Sequence, residues 1–227
     1  MVANARRTIC KIDNLQVDIL ESLGELHAVR DNWERVYNAD PESQCFLTWN
    51  WIYNWLASTS QRWLILAVRP DEASQDYIAF FPLRSSTELG IDSGFRHSLR
   101  MAGSYYAGYT GFICDPAAEA SAVAALGQAL QKLNWAELHL DDIFPSERRL
   151  QLLFHSFVQS DFEIAQKPRP PHLTEGQVNR PRCVRRRSAR IQLGEISPDP
   201  HGFAHAVQCK DRAEAHRNRW RVPDIDR

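Results

Sequence analysis

Cys45-Phe46-Leu47-Thr48-Trp49-Asn50-Trp51-Ile52-Tyr53-Asn54-Trp55-Leu56 holds three of the chain's seven tryptophans, and how it is read decides the architecture. Trp51, Ile52, Trp55 and Leu56 recur at helical steps and share a face, so a helix with an inward aromatic side is expected, with Thr48 as its N-cap. Periodicity alone favours such a core helix over rings that stack on a ligand. Two continuous apolar runs follow. Trp63 to Val68 is closed by Pro70, and Tyr77 to Leu83 comes after a polar connection. Runs of this length bounded by turn residues predict a β-hairpin.

Working outward, Val17 to Leu20 is a strand candidate. Leu23, Leu26, Val29, Trp33, Val36 and Tyr37 trace one face of a helix that Asp40-Pro41 stops, because proline lacks a donor and restricts its predecessor. Downstream, Ser98 to Ala102 and Thr110 to Cys114 read as strands joined by Gly103-Ser104-Tyr105-Tyr106-Ala107-Gly108-Tyr109. Asp115-Pro116 opens a helix with Val123, Leu126, Leu130 and Leu133 on its apolar face; proline is tolerated in a first turn. Glu137 to Leu140 is a strand. Pro145-Ser146 opens a helix burying Leu150, Leu153, Phe154 and Phe157, and Phe162 to Ala165 is a last strand. This order predicts an α/β (α+β) domain: a mixed, mostly antiparallel sheet with packed helices and no internal repeat.

The chemistry of the chain changes after Gln166. Residues 167–227 hold 14 Lys and Arg against 7 Asp and Glu, whereas residues 1–166 carry a net charge of −8, so the overall −1 is a near-cancellation. Seven of the 12 prolines lie in that second segment, and its apolar residues are too few for a second core. Such composition struggles to offset its ordering entropy. The expectation is therefore one domain over 1–166 and an Arg- and Pro-rich tail over 167–227, disordered or read out of frame. No apolar run approaches the length of a membrane span and none stands behind the charged start, so neither a span nor a leader is expected. Five cysteines without regular spacing fit a reduced, cytoplasmic setting.

Few motifs carry chemistry. Asp141-Asp142, at a strand end, could supply a general acid or base, or simply form a turn. The run Arg180, Arg182, Arg185, Arg186, Arg187 and Arg190 could meet phosphates, but no aromatic residues interleave to stack bases, so a solvated basic run is the plainer reading and nucleic acid is not expected. His201, His205 and Cys209 fall at four-residue steps, yet Pro200 and Gly202 weaken any helix there and no paired cysteines support them, so no metal site is expected. There is no nucleophile elbow and no phosphate loop.

Phe46-Leu47-Thr48-Trp49 with Trp55, then Phe81-Pro82-Leu83, Leu99-Arg100-Met101-Ala102-Gly103, Tyr109-Thr110-Gly111-Phe112-Ile113 and Trp135-Ala136-Glu137-Leu138-His139-Leu140, resembles the CelD-like acyltransferases of the GNAT superfamily in order and spacing across residues 15–165. The resemblance implies the first of two GNAT-like lobes, with acyl-CoA (acetyl-CoA) as donor and an amine or sugar as acceptor. It places acyl-CoA binding mainly in a second lobe, whose apolar strand, aromatic helix and basic helix are not found after Ala165. It thus implies an N- or O-acyltransferase, here a truncated and catalytically incomplete copy. Gly108 and Ala136 stand where the family tends to carry acidic residues. Arg100-Met101-Ala102-Gly103-Ser104-Tyr105 comes near the superfamily's phosphate cradle, but Tyr105 occupies a position that needs a small residue, so a strand-end turn is expected. Tyr109, Asp141 and Asp142 are the candidate catalytic residues. Two alternatives stand beside this reading. One is a non-catalytic interaction protein whose basic tail binds an acidic partner or nucleic acid. The other is a lobe whose exposed apolar face docks a separate second lobe or a second copy.

Overall fold

The computed structural model describes residues 7–71, 74–90, 94–104, 106–157, 161–166 and 182–186. Nine strands form one sheet among these residues: β1 (Arg7–Ile12), β2 (Leu15–Leu20), β3 (Arg62–Arg69), β4 (Ala79–Gly90), β5 (Gly94–Met101), β6 (Ile113–Cys114), β7 (Glu137–Leu140), β8 (Phe162–Gln166) and β9 (Arg182–Arg186). Their order is β1-β2-β3-β4-β5-β7-β9-β8, with β6 on β4. All pairings of these strands are antiparallel except β5 with β7, which run parallel. The α/β architecture read from the sequence, a mostly antiparallel sheet with helices packed on it, is the one observed.

Five helices pack on the sheet: α1 (Leu23–Ala28), α2 (Arg30–Ala39), α3 (Trp49–Ser58), α4 (Glu119–Lys132) and α5 (Glu147–Phe154). Strand alternation sorts the sheet's side chains into two cores. Leu64, Leu66, Val68, Phe81, Leu83, Leu99, Met101, Leu138 and Leu140 pack with the buried residues of α4 and α5. On the other side, Leu20, Ile65, Ala67 and Phe80 pack with α1, α2 and α3. That second core stops at β4. Beyond it, Ser98, Arg100, Glu137 and His139 occupy the alternate positions of β5 and β7, so this part of the face is polar.

Local chemistry explains the helix boundaries. Ser22 and Glu25 form a reciprocal capping box at the start of α1, each satisfying the other's backbone N–H. The single helix expected over 23–37 is divided at Val29, whose N–H donates to Leu26 at 3.2 Å and which closes α1 and opens α2. Thr48 does sit at the N-cap of α3, but its hydroxyl donates to the Cys45 carbonyl at 2.9 Å, alongside its own N–H at 3.3 Å, and caps nothing. The buried face of α3 is Trp49, Ile52 and Leu56; Trp51 and Trp55 flank it half-buried, one step round from the expected face. Gly127 lets α4 lie against α5, since a Cβ there would stand 2.3 Å from the Leu153 carbonyl oxygen.

Two strands were not expected. β1 pairs with β2, and β9 lies between β7 and β8. β9 belongs to the same compact unit as the other eight strands. In register, Arg185 stands between Glu137 and Glu163, and Val184 between Leu138 and Ile164. Opposite charges and apolar residues facing across neighbouring strands are the pairings that stabilise a sheet.

Two buried ion networks pin the layers together. Arg149 on α5 is fully buried and holds Asp40 bidentately at 2.9 and 3.0 Å, with Glu119 at 2.8 Å. Burial alone would lower its pKa, and the hydrogen bonds it donates to Asp40 and Glu119 reverse that, so it is held above the ordinary arginine value. Asp18 on β2 accepts from Arg69 at 2.7 Å, Thr8 at 2.6 Å and Tyr77 at 2.9 Å. Burial pushes its carboxyl up, and the three hydrogen bonds, Arg69 first, outweigh this and hold it below the usual value.

Candidate functional site

Open sheets bind ligands at the carboxyl ends of their strands, where the strand connections diverge. In this sheet that place is the parallel pair β5 and β7, whose carboxyl ends are Met101 and Leu140. The loop following β5 and the turn following β7 meet there. Thr110 ties them: its N–H donates to the Asp142 carbonyl at 2.8 Å, its hydroxyl to the Asp141 carbonyl at 2.6 Å, and its carbonyl accepts from Phe144 at 2.9 Å.

All three sequence candidates come to this junction. Asp141 forms an ion pair with Arg100 of β5 at 3.0 Å, both side chains being largely buried. Asp142 is in the left-handed region, with φ of 54°, and serves as a turn that Thr110 holds. Tyr109 is half-buried between Phe46, at 6.4 Å between centroids, and Phe144 at 5.4 Å. Its neighbours therefore extend an aromatic band. Phe46 meets Trp51 edge-on at 5.4 Å, and Trp51 lies parallel to Trp55 at 6.4 Å.

Gly103 makes the approach of loop to band possible. Its φ is +80°, and a Cβ would stand 2.5 Å from the Trp51 ring. The loop's backbone donors are turned inward: Ala102 donates to Pro82, Ser104 to Met101, and Tyr106 and Ala107 to Gly103. These four amides are spent within the protein, so they do not form a cradle for a diphosphate, and this stretch is a strand-end turn. Tyr105 lies outside the described residues, as do His201, His205, Cys209, Arg180, Arg187 and Arg190. Arg182, Arg185 and Arg186 belong to β9. Among the described residues, no group of three or more His, Cys, Asp and Glu is placed to hold a metal ion, and no helix is long and apolar enough to cross a membrane.

The sequence reading overlooked Arg100, Glu137 and His139 as site residues. The signal was present in Glu137-Leu138-His139-Leu140-Asp141, where strand alternation puts Glu137, His139 and Asp141 on one face. His139 Nε2 lies 3.0 Å from Glu137 Oε2, its side chain only 7% exposed. Arg100 is its register partner on β5. The junction thus combines two acid–base pairs, Glu137 with His139 and Arg100 with Asp141, beside a half-buried aromatic band.

A second feature lies on the other side of α3. Glu34, Tyr37, Asn38, Thr48, Trp49 and Asn50 line a shallow cleft of about 250 Å³. Trp49 Nε1 is buried without a hydrogen-bond partner. No family model, no curated protein and no solved structure matches this chain.

Proposed function

We propose that this protein is a GNAT-type acyltransferase that moves an acyl group from an acyl-CoA thioester to the nitrogen or oxygen of a small acceptor such as an amine or sugar, and that it works in the cytoplasm. The observation that carries the reading is the single parallel strand pair of an otherwise antiparallel sheet, with the Arg100–Asp141 ion pair at its carboxyl end and His139 with Glu137 along β7. An acyl transfer needs a proton acceptor for the incoming nucleophile and a site that excludes water, and largely buried ionisable side chains suit both. The loop after β5 spends its amides internally, so the phosphates of the donor would rest elsewhere, which fits the resemblance's placing of acyl-CoA binding outside this lobe.

The expectation of an incomplete copy rests on the second-lobe strand and helices not found after Ala165, and on the composition of the tail. A strand of that tail, Arg182–Arg186, seated between β7 and β8 favours this segment as part of the fold. The test is release of free CoA thiol from acetyl-CoA in the presence of a panel of amines and sugars. Turnover above the protein-free rate supports the reading; folded protein that releases no thiol with any acceptor overturns it. Binding to nucleic acid or an acidic protein that weakens steeply with salt would instead favour the non-catalytic alternative.

A further inference from the structure

We infer that the cleft between α2 and α3 is a binding site for a free amino acid, whose carboxylate meets the N-terminus of α3 and the indole of Trp49 and whose ammonium meets Glu34. This goes beyond the acyltransferase reading and does not rest on it. The cleft holds about 250 Å³, below the about 300–1,000 Å³ of sites for drug-sized molecules, so its occupant is small.

The donors form one wall. α3 is ten residues long and opens without a side-chain cap, because the Thr48 hydroxyl is turned to the Cys45 carbonyl. Its first bond runs from the Ile52 N–H to the Thr48 carbonyl at 3.1 Å. Among the described residues, the N–H groups of Trp49, Asn50 and Trp51 have no acceptor. Such a terminus carries partial positive charge and suits an anion. By itself this is the ordinary state of a helix end that faces water. Trp49 adds an independent observation. It lines the cleft and is 7% exposed, and its buried Nε1–H has no partner among the described residues. A buried donor left unpaired is uncommon, and a ligand that brings an acceptor satisfies it. Tyr53 stacks on the indole at 4.6 Å, His27 meets it edge-on at 6.0 Å, and the Arg30 guanidinium carbon lies 4.5 Å from its centroid. These contacts hold the ring in place.

The acceptor comes from α2. Glu34, Tyr37 and Asn38 line the cleft at three- and four-residue steps, one face of that helix. Trp33 Nε1 donates to the Leu47 carbonyl at 2.9 Å, which ties α2 to the turn before α3 and fixes the two walls to each other. Glu34 Oε1 accepts from Arg30 at 2.9 Å, and both side chains are 45% exposed. Glu34 Oε2 has no partner among the described residues. A bare anion would meet Glu34 as a like charge. Donors at one wall and a carboxylate at the other are the complement of a zwitterion.

The test is a ¹H–¹⁵N NMR titration of the full chain with a panel of free amino acids: glycine, alanine, serine, glutamate and lysine. It needs no turnover. The Trp49 indole signal is the one missing in Trp49→Phe. Saturating shifts of that indole and of the Trp49, Asn50 and Trp51 amides are expected with at least one member, at a Kd of about 1 mM. Acetate and methylamine, each carrying half of the zwitterion, should bind at least about tenfold more weakly. Glu34→Gln alters an exposed side chain and should weaken the amino acid about threefold or more while sparing acetate. No saturating shift with any member up to about 50 mM overturns the site. Acetate or inorganic phosphate binding as tightly as the best amino acid overturns the amino-acid assignment. Amide shifts with an unmoved indole overturn the role of Trp49. None of these outcomes touches the acyltransferase reading, and a failure of CoA release leaves this site standing.

Discussion

Arg149→Met removes the guanidinium on which three elements converge. Asp40 ends α2, Glu119 begins α4 and Arg149 lies on α5. Asp40 and Arg149 are both fully buried at the side chain. Loss of one partner of such a pair leaves an uncompensated buried charge, a change that costs about 3–5 kcal/mol. Asp40 would keep two backbone donors, Glu42 N–H at 2.9 Å and Cys114 N–H at 2.8 Å. Those contacts put the expected cost near the lower end, about 3 kcal/mol, or roughly 6–12 °C in melting temperature for a chain of this size. Urea unfolding at pH 7 measures it directly. The double variant Asp40→Leu with Arg149→Met should recover at least half of the loss, since replacing a whole buried pair by apolar groups is often neutral. A single variant within about 1 kcal/mol of wild type at pH 7 would refute the idea that this network holds the helices to one another.

Gly127→Ala should destabilise by about 1–3 kcal/mol in chemical denaturation, because the 2.3 Å approach to a backbone carbonyl outweighs the gain of about 1 kcal/mol in helix propensity. The lowered pKa of Asp18 contributes stability that is fully present above its ordinary value of 3.8 and is lost as pH falls through the lower folded value; Asp18→Asn should flatten the stability profile below about pH 4, and an unchanged acid limb would count against the buried triad around it. Burial pushes the Cys114 thiol up to about 12, so iodoacetamide at pH 8 should label exposed Cys45 while sparing Cys114 until denaturant is added, as peptide mass mapping would read. Ending the chain at Gln166 removes the shared partner of β7 and β8; hydrogen exchange should lose protection in both strands, and full protection would mean that β9 adds nothing to the sheet.

What the sequence disclosed was whatever local periodicity governs. The apolar runs of β3 and β4 and the faces of α4 and α5 follow directly from spacing, because the sheet buries both faces over the first and α4 and α5 bury one stripe each. Spacing failed where a contact distant in sequence decides. Arg149 reads as one more charged helix residue until Asp40, 109 residues away, is seen beside it. Thr48 has the right identity for a cap, but the neighbouring turn recruits its hydroxyl. The candidate acids Asp141 and Asp142 were found by position at a strand end; the parallel partner that brings Arg100 to Asp141 cannot be read from any window around either residue.

β9 presents the same limit in its sharpest form. Arg182-Cys183-Val184-Arg185-Arg186 has one apolar residue of any size and follows a stretch rich in proline, so composition reads it as solvated. A strand, however, needs only to match its two neighbours. Glu137 and Glu163 are opposite Arg185 on either side, and Leu138 and Ile164 are opposite Val184. Register thus sets a basic position opposite an acidic one on each neighbouring strand. The charge reversal after Gln166 therefore need not mark a foreign segment, because a basic strand is the complement that the acidic positions of β7 and β8 call for. The same register runs β9 alongside Glu137 and His139 of β7.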